Sequence, residues 1–239
     1  MANEQYAAGL GSFLTALGAV MEGGYAAQQR PDRIAATRFS PFRYFKENDN
    51  IISGIFADLL RPNGSHGQGR TFLDLFLQEM DRDRAEGACY RKGSDYVSAT
   101  RCVVETEHVI DQNRRIDLVL RFGEVGDRWI GIENKPWARE QEDQLKDYAA
   151  YVQARDEDAA ILYLSGDGSP AKTMPPDDRA RYGVVPYRES AKGPSVEHWV
   201  RSCMQRCEAE KVRWFLSDML TYIRETFRVR EWVGENGDE

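Results

Sequence analysis

Two stretches, Ile116-Asp117-Leu118-Val119-Leu120 and Ile130-Gly131-Ile132-Glu133-Asn134-Lys135, decide how this chain is expected to fold. Each is a short apolar run interrupted by charged side chains, and such runs are typical of buried strands. Successive side chains of a strand point to opposite faces, so Glu133 and Lys135 share one face. A glycine-containing turn separates the stretches. We therefore expect an antiparallel pair that brings Asp117 beside Glu133.

These charged residues are the types that phosphodiester hydrolysis requires. Asp117 and Glu133 would provide two hard oxygen ligands, which suit Mg²⁺ or Mn²⁺. A metal ion held by them can polarise a phosphate and lower the pKa of a bound water. The ammonium of Lys135 can orient that water or offset developing charge. The structural alternative is an Asp and a Glu-Lys pair that merely end two edge strands.

The remaining pattern supplies elements around this pair. Further strands are predicted at 101–107, 160–164 and 182–187, and helical periodicity occurs at 46–60, around Phe72, at 138–155 and in two C-terminal segments. A strand, helix, strand step favours parallel pairing. The element order predicts the α/β class, with a mixed central sheet flanked by helices.

The helix predicted at 46–60 carries an apolar stripe and ends before Pro62 and Gly64. The stripe consists of Ile51, Ile52, Ile55, Phe56, Leu59 and Leu60. Glu47 lies one turn before Ile51, so we expect its carboxylate to point along the buried side of this helix.

An Ile-Asp pair followed on the next strand by Glu-x-Lys resembles the PD-(D/E)XK nuclease superfamily, although Ile116 replaces the proline of that name. The resemblance implies a restriction-endonuclease-like αβββαβ core, here with N- and C-terminal helical additions. The Ile-Glu-Asn-Lys form of the motif resembles a bacterial subgroup. Asn134 occupies the variable position, and its polarity predicts that its strand face is not deeply buried.

The resemblance extends to the next helix. Gln144-Leu145-Lys146-Asp147-Tyr148 is similar to the QxxxY signature of exonuclease-type members, and Gln141 lies one turn earlier. It implies that Gln144 lies near the metal site and that Tyr148 contacts nucleic acid or packs below the site. Glu47 matches the acidic residue on the helix before the first strand, which implies a third metal carboxylate beside Asp117 and Glu133.

Two other segments contain candidate nucleic-acid contacts. The basic stretch from Arg30 to Lys46, which includes Arg43, is interleaved with aromatic residues and could hold a phosphate backbone. Its alternative is a solvated segment with aromatic side chains in the core. His66 lies in the loop after Pro62 and is a candidate for catalysis or phosphate binding, unless the loop is only a helix stop.

Composition limits the class of protein. The 239 residues are 41% hydrophobic, enough for one domain with a large core. We expect an N-terminal helical extension at 1–45, a nuclease core at 46–190 and C-terminal helices at 191–239. The formal charge of -7 argues against a protein that coats nucleic acid, but not against an enzyme. The first 29 residues contain no Lys or Arg, so we expect a cytoplasmic protein without a secretory leader or membrane span.

We therefore expect a Mg²⁺-dependent nuclease, with Mn²⁺ able to substitute, that acts on DNA in repair or bacterial defence. Its expected catalytic residues are Asp117, Glu133, Lys135, Glu47 and Gln144; Tyr148, Gln141, His66 and Arg43 are the expected nucleic-acid contacts. Two alternatives remain: an RNA-directed nuclease, and a nucleic-acid- or partner-binding module that keeps the fold without catalysis. Monomer and homo-oligomer are both open.

Overall fold

The computed structural model describes residues 13–18, 39–45, 48–82, 88–111, 114–124, 127–137, 143–171, 182–189 and 193–227. The chain divides into two units, 1–44 and 45–239. In the first unit, residues 13–18 are helical and exposed, and Pro41–Tyr44 forms a 3-10 turn in which Phe42 is buried. No described helix is long and apolar enough to cross a membrane.

A five-stranded mixed sheet forms the centre of the second unit. Its strands, in spatial as well as chain order, are β1 (Cys102–Val109), β2 (Arg115–Phe122), β3 (Arg128–Lys135), β4 (Ala160–Ser165) and β5 (Tyr182–Pro186). The first three strands pair antiparallel, and β3, β4 and β5 pair parallel. The predicted α/β class and mixed sheet are confirmed.

Helices cover both faces of this sheet. They are α1 (Asp49–Leu60), α2 (Thr71–Asp81), α3 (Gln144–Gln153), α4 (Val196–Arg206) and α5 (Glu210–Thr226). On one face, α3 packs against the sheet through a cluster that includes Leu145, Val152, Val119 and Ile161. On the other face, side chains of α1, α2 and α4 meet the sheet around one small cavity, lined among others by Phe56, Leu60, Phe76, Trp199, Leu118, Ile132 and Leu164.

Gly131 allows α3 to approach the sheet closely. A Cβ at this position would lie 2.8 Å from Cδ1 of Ile161 and 3.3 Å from Cγ2 of Val152. Any larger residue on this part of β3 would therefore push α3 away. The close packing lets Gln144, the first residue of α3, reach the end of β3.

The start of α1 differs from the prediction. Asn48 has an extended backbone, and its side chain accepts hydrogen bonds from the N–H groups of Asn50 (3.0 Å) and Ile51 (3.3 Å). Asn48 is thus the N-cap, so α1 begins at Asp49 rather than at Lys46. Ile51, which was placed on the buried stripe, is 39% exposed, whereas Ser53 is buried.

Candidate active site

Asp117 and Glu133 meet where the pairing of β2 and β3 ends. The pairing of β2 with β3 runs from Phe122, opposite Arg128, to Leu118, opposite Ile132. The next step of this register sets Asp117 against Glu133, as the strand pattern predicts. Both carboxylates are buried, with 7% and 1% of their residue surfaces exposed.

One oxygen of Glu133 is held by two neighbouring side chains. Nζ of Lys135 lies 2.7 Å from Oε1 of Glu133, and Nε2 of Gln144 donates a hydrogen bond of 2.8 Å to the same oxygen. The other oxygen, Oε2, is buried and has no hydrogen-bond partner among the described residues. Burying a polar atom without a hydrogen bond costs free energy on folding. We therefore take Oε2 of Glu133 as a candidate ligand atom.

Asp117 shows a similar division between its oxygens. Its Oδ2 accepts a hydrogen bond of 2.7 Å from the backbone N–H of Asn134. Oδ1 of Asp117 accepts no hydrogen bond from the described residues. Each of the two carboxylates is therefore oriented through one oxygen, which leaves the second oxygen for another ligand.

The electrostatics of this pair follow from burial and like charge. Burial, with the nearby charge of Asp117, raises the pKa of Glu133 to about 8. Burial raises the pKa of Asp117 to about 6, although Lys135 acts against this shift. Burial alone would lower the pKa of Lys135, but Glu133 and Asp117 raise it above its ordinary value. The ammonium of Lys135 is thus charged and faces both carboxylates.

Tyr148 supports Gln144 from below. The Tyr148 hydroxyl accepts a hydrogen bond of 2.8 Å from Nε2 of Gln144 and donates one of 2.6 Å to the carbonyl of Arg115. Only 2% of Tyr148 is exposed. These contacts place Tyr148 below Gln144, and a contact between Tyr148 and nucleic acid stays a prediction.

The acidic residue that α1 brings toward the pair is Asp49. Glu47, the predicted third carboxylate, precedes the N-cap and lies outside the described residues. The charge of Asp49 contributes to raising the pKa of Asp117 and that of Lys135, and its backbone carbonyl lies 3.5 Å from Nδ2 of Asn134. The sequence contains a signal for this assignment, since Asn48 is a preferred N-cap residue and puts Asp49 in the first turn.

Strand β1 brings another carboxylate to the edge of the site. Glu107 has a positive φ of 51° and lies between Thr106, which pairs with Leu118, and His108, which pairs with Ile116. Its charge raises the pKa of Asp117, but its side chain is 40% exposed and lies 3.7 Å from Nη1 of Arg115. Glu105 pairs with His108 and Arg121. Both acidic side chains of β1 are thus paired with basic groups at a partly exposed edge of the sheet.

Among the remaining candidates, His66 makes its described hydrogen bonds within the segment from Arg61 to Gln68. His66 is buried, its Nδ1 accepts a hydrogen bond of 3.0 Å from the Gln68 N–H, and its Nε2 lies 3.1 Å from the carbonyl of Arg61. Both ring nitrogens therefore hold the loop. Arg43 is exposed in the first unit, and Gln141 lies outside the described residues.

Asn134 corrects one expectation. The face of β3 that carries it was predicted to be only shallowly buried, yet none of its surface is exposed. That prediction is wrong because a polar side chain can be buried wherever neighbouring elements pair its polar atoms. The pattern contained a signal, since Asn134 shares a strand face with the apolar Ile132.

A buried pair of carboxylates beside a lysine, at the ends of adjacent central strands, is suited to hydrolysis of a phosphodiester. Comparison with protein families is more specific. The family model described as the PD-(D/E)XK nuclease superfamily matches residues 39–223, which is most of the chain, and the chain belongs to this superfamily. No curated protein and no solved structure gives a significant match.

Proposed function

We propose that this protein is a metal-dependent nuclease that hydrolyses phosphodiester bonds in DNA. The observation that carries the proposal is the buried, unpartnered Oε2 of Glu133 beside Asp117. A divalent cation would satisfy this oxygen and offset the repulsion between the two carboxylates. PD-(D/E)XK nucleases generally use divalent metals, and a nuclease acts on nucleic acid, so the family agrees with this interpretation.

The donor set fits a hard cation such as Mg²⁺, with Mn²⁺ as a substitute. Oδ1 of Asp117 and Oε2 of Glu133 would hold the ion, and Asp49 is a candidate for contact through water. Among the described residues, no group of three or more His, Cys, Asp or Glu is arranged to hold a metal. Two carboxylates suffice for Mg²⁺, because water and substrate phosphate usually complete its shell. When bound, the ion supplies Lewis-acid polarisation of the phosphate and a more acidic water.

The chain's own residues would act by position and charge. Lys135, held 2.7 Å from Glu133, places its ammonium where it can orient a water and offset charge that develops on the phosphate. Gln144 fixes the rotamer of Glu133, and Tyr148 fixes Gln144. Burial of the two carboxylates keeps bulk water from screening these charges.

DNA is the proposed substrate, with RNA as the alternative. Substrate contact stays a prediction for Tyr148, Arg43, Gln141 and His66, and metal contact stays one for Glu47. A cleavage panel of single- and double-stranded DNA and RNA, linear and circular, tests the choice in Mg²⁺, in Mn²⁺ and in EDTA. We expect DNA to be cut only in the presence of metal.

Asp117→Asn is the variant that tests the assignment, because it removes one charge and keeps the shape. We expect it to lose cleavage while its circular dichroism spectrum matches that of the wild type. Metal-dependent cleavage by this variant at the wild-type rate would refute the role of Asp117. Binding of nucleic acid by the wild type without cleavage, across all metals and substrates, would favour the non-catalytic binding module.

A further inference from the structure

Asn134 is the centre of a buried polar network on the face of β3 opposite to Glu133 and Lys135. Oδ1 of Asn134 accepts a hydrogen bond of 2.6 Å from the Tyr187 hydroxyl, and Nδ2 donates one of 3.0 Å to Oγ of Ser53. Nδ2 also lies 3.5 Å from the backbone carbonyl of Asp49. One side-chain amide therefore joins β3 to the first turns of α1 and to the residue that follows β5.

The partners of this amide are themselves firmly held. The Tyr187 ring packs against Phe227 and Phe56, with centroids 4.3 and 6.0 Å away. Its backbone N–H donates a 3.0 Å hydrogen bond to the carbonyl of Ser165. Ser53 is buried on α1, with 2% of its surface exposed. The network thus links rigid elements, so a displacement of Asn134 would be resisted from two sides.

The position of Asn134 affects three residues of the site at once. Asn134 lies between Glu133 and Lys135, and its backbone N–H holds Oδ2 of Asp117. A shift of this one residue would move the two flanking side chains and release the aspartate. Metal sites commonly depend on such outer contacts, whose loss weakens metal affinity or activity by roughly 10- to 100-fold.

We propose that Ser53, Asn134 and Tyr187 form a positioning network that fixes the orientation of the Asp117 carboxylate and so sets the affinity of the site for a divalent cation. The proposal rests on the proposed nuclease function. None of the three residues is assigned a contact with substrate; each acts through the backbone of β3.

A network that merely stabilised the core would have a different signature, and Tyr96 provides the matched control. Like Tyr187, Tyr96 is fully buried, and its hydroxyl donates a hydrogen bond of 2.9 Å to the carbonyl of Trp129. Trp129 is on β3, near the end of the strand away from Glu133. Tyr96→Phe and Tyr187→Phe thus each remove a hydroxyl that donates a hydrogen bond to β3, and the two bonds lie at different distances from Glu133.

The experiment measures Mn²⁺ affinity by calorimetry without substrate, Tm without metal, and kcat and KM for DNA cleavage. We expect both variants to lower Tm. Tyr187→Phe should weaken Mn²⁺ binding roughly tenfold and lower kcat with little change in KM, whereas Tyr96→Phe should keep both wild-type values. Ser53→Ala should behave like Tyr187→Phe, and it replaces that variant if Tyr187→Phe fails to fold.

Equal Mn²⁺ affinity and equal kcat in Tyr187→Phe and Tyr96→Phe would overturn the positioning role while leaving the nuclease proposal in place. A wild-type protein that neither binds Mn²⁺ nor cuts nucleic acid would overturn the proposed function, and the network proposal with it.

Discussion

Glu133 and Asn134 are neighbours on β3, both polar and both buried, yet their surroundings differ. The side chain of Asn134 has a partner at each end, from α1 and from the residue after β5. Glu133 has two partners on one oxygen and none from the described residues on the other. Burial alone therefore does not mark the site. The unpaired carboxylate oxygen does, because folding leaves its cost, about 1–3 kcal/mol or more for a charged group, to be offset by a ligand.

The largest expected effect comes from removing the cation that faces Glu133. Lys135→Ala should lower the rate of DNA cleavage by roughly 100- to 1,000-fold, because charge that develops on the phosphate loses the positive charge of this ammonium. Single-turnover kinetics at saturating Mg²⁺ measure this rate. Lys146→Ala, which changes an exposed lysine on α3, is the control and should cut normally. Equal rates in the two variants would remove Lys135 from the mechanism.

Substitution of the two neighbours should change stability in opposite directions. Above pH 8, where Glu133 is ionised, Glu133→Gln removes a buried charge and its repulsion with Asp117, so the Tm of the metal-free protein should rise by about 5 °C. Asn134→Leu leaves the Tyr187 hydroxyl and Ser53 without their partner, so Tm should fall by about 5 °C. Thermal unfolding in EDTA measures both shifts. A fall in Tm for Glu133→Gln would show that its charge is already compensated.

The effect of Glu133 on the free energy of unfolding should depend on pH. Because the folded pKa of Glu133 is raised from 4.5 to about 8, its contribution to stability is fully present below pH 4.5 and is lost as pH rises toward 8. The contribution of Glu133 to the free energy of unfolding of the metal-free protein should therefore decline by up to about 1.4 kcal/mol per pH unit across that window. Urea unfolding at several pH values measures the slope. Glu133→Gln should flatten it, and a slope unchanged in that variant would assign the loss to other groups.

The smallest expected effect concerns the support of Gln144. Tyr148→Phe removes the hydroxyl that joins Gln144 to the carbonyl of Arg115, so kcat should fall about tenfold. Tyr151→Phe is the matched control on α3, since the Tyr151 hydroxyl bonds His108 instead of Gln144. Steady-state kinetics compare the two variants. The same loss in both would mean that the packing of α3, and not the hydroxyl of Tyr148, is what matters.

Local patterns were sufficient to predict the strands, the α/β class and the meeting of Asp117, Glu133 and Lys135. The alternation of side chains along β2 and β3 and the turn between them are short-range properties, so the chain determines them without information from distant elements. The membership in the PD-(D/E)XK superfamily, predicted from the same residues, is confirmed by the family match. The i, i+4 spacing of Gln144 and Tyr148 likewise anticipated the contact between them.

Other features depend on residues far apart in the chain. Asn134 is buried because Ser53 and Tyr187, 81 and 53 positions away, pair its amide. The charge of Asp49 acts on the pKa of Asp117 because the cap at Asn48 sets where α1 begins, and a metal contact by Glu47 stays a prediction. Only the packed structure shows which oxygen of Glu133 has partners and which has none. A sequence pattern sets the face on which a polar group lies, but whether its atoms are paired there is decided by the elements that pack against it.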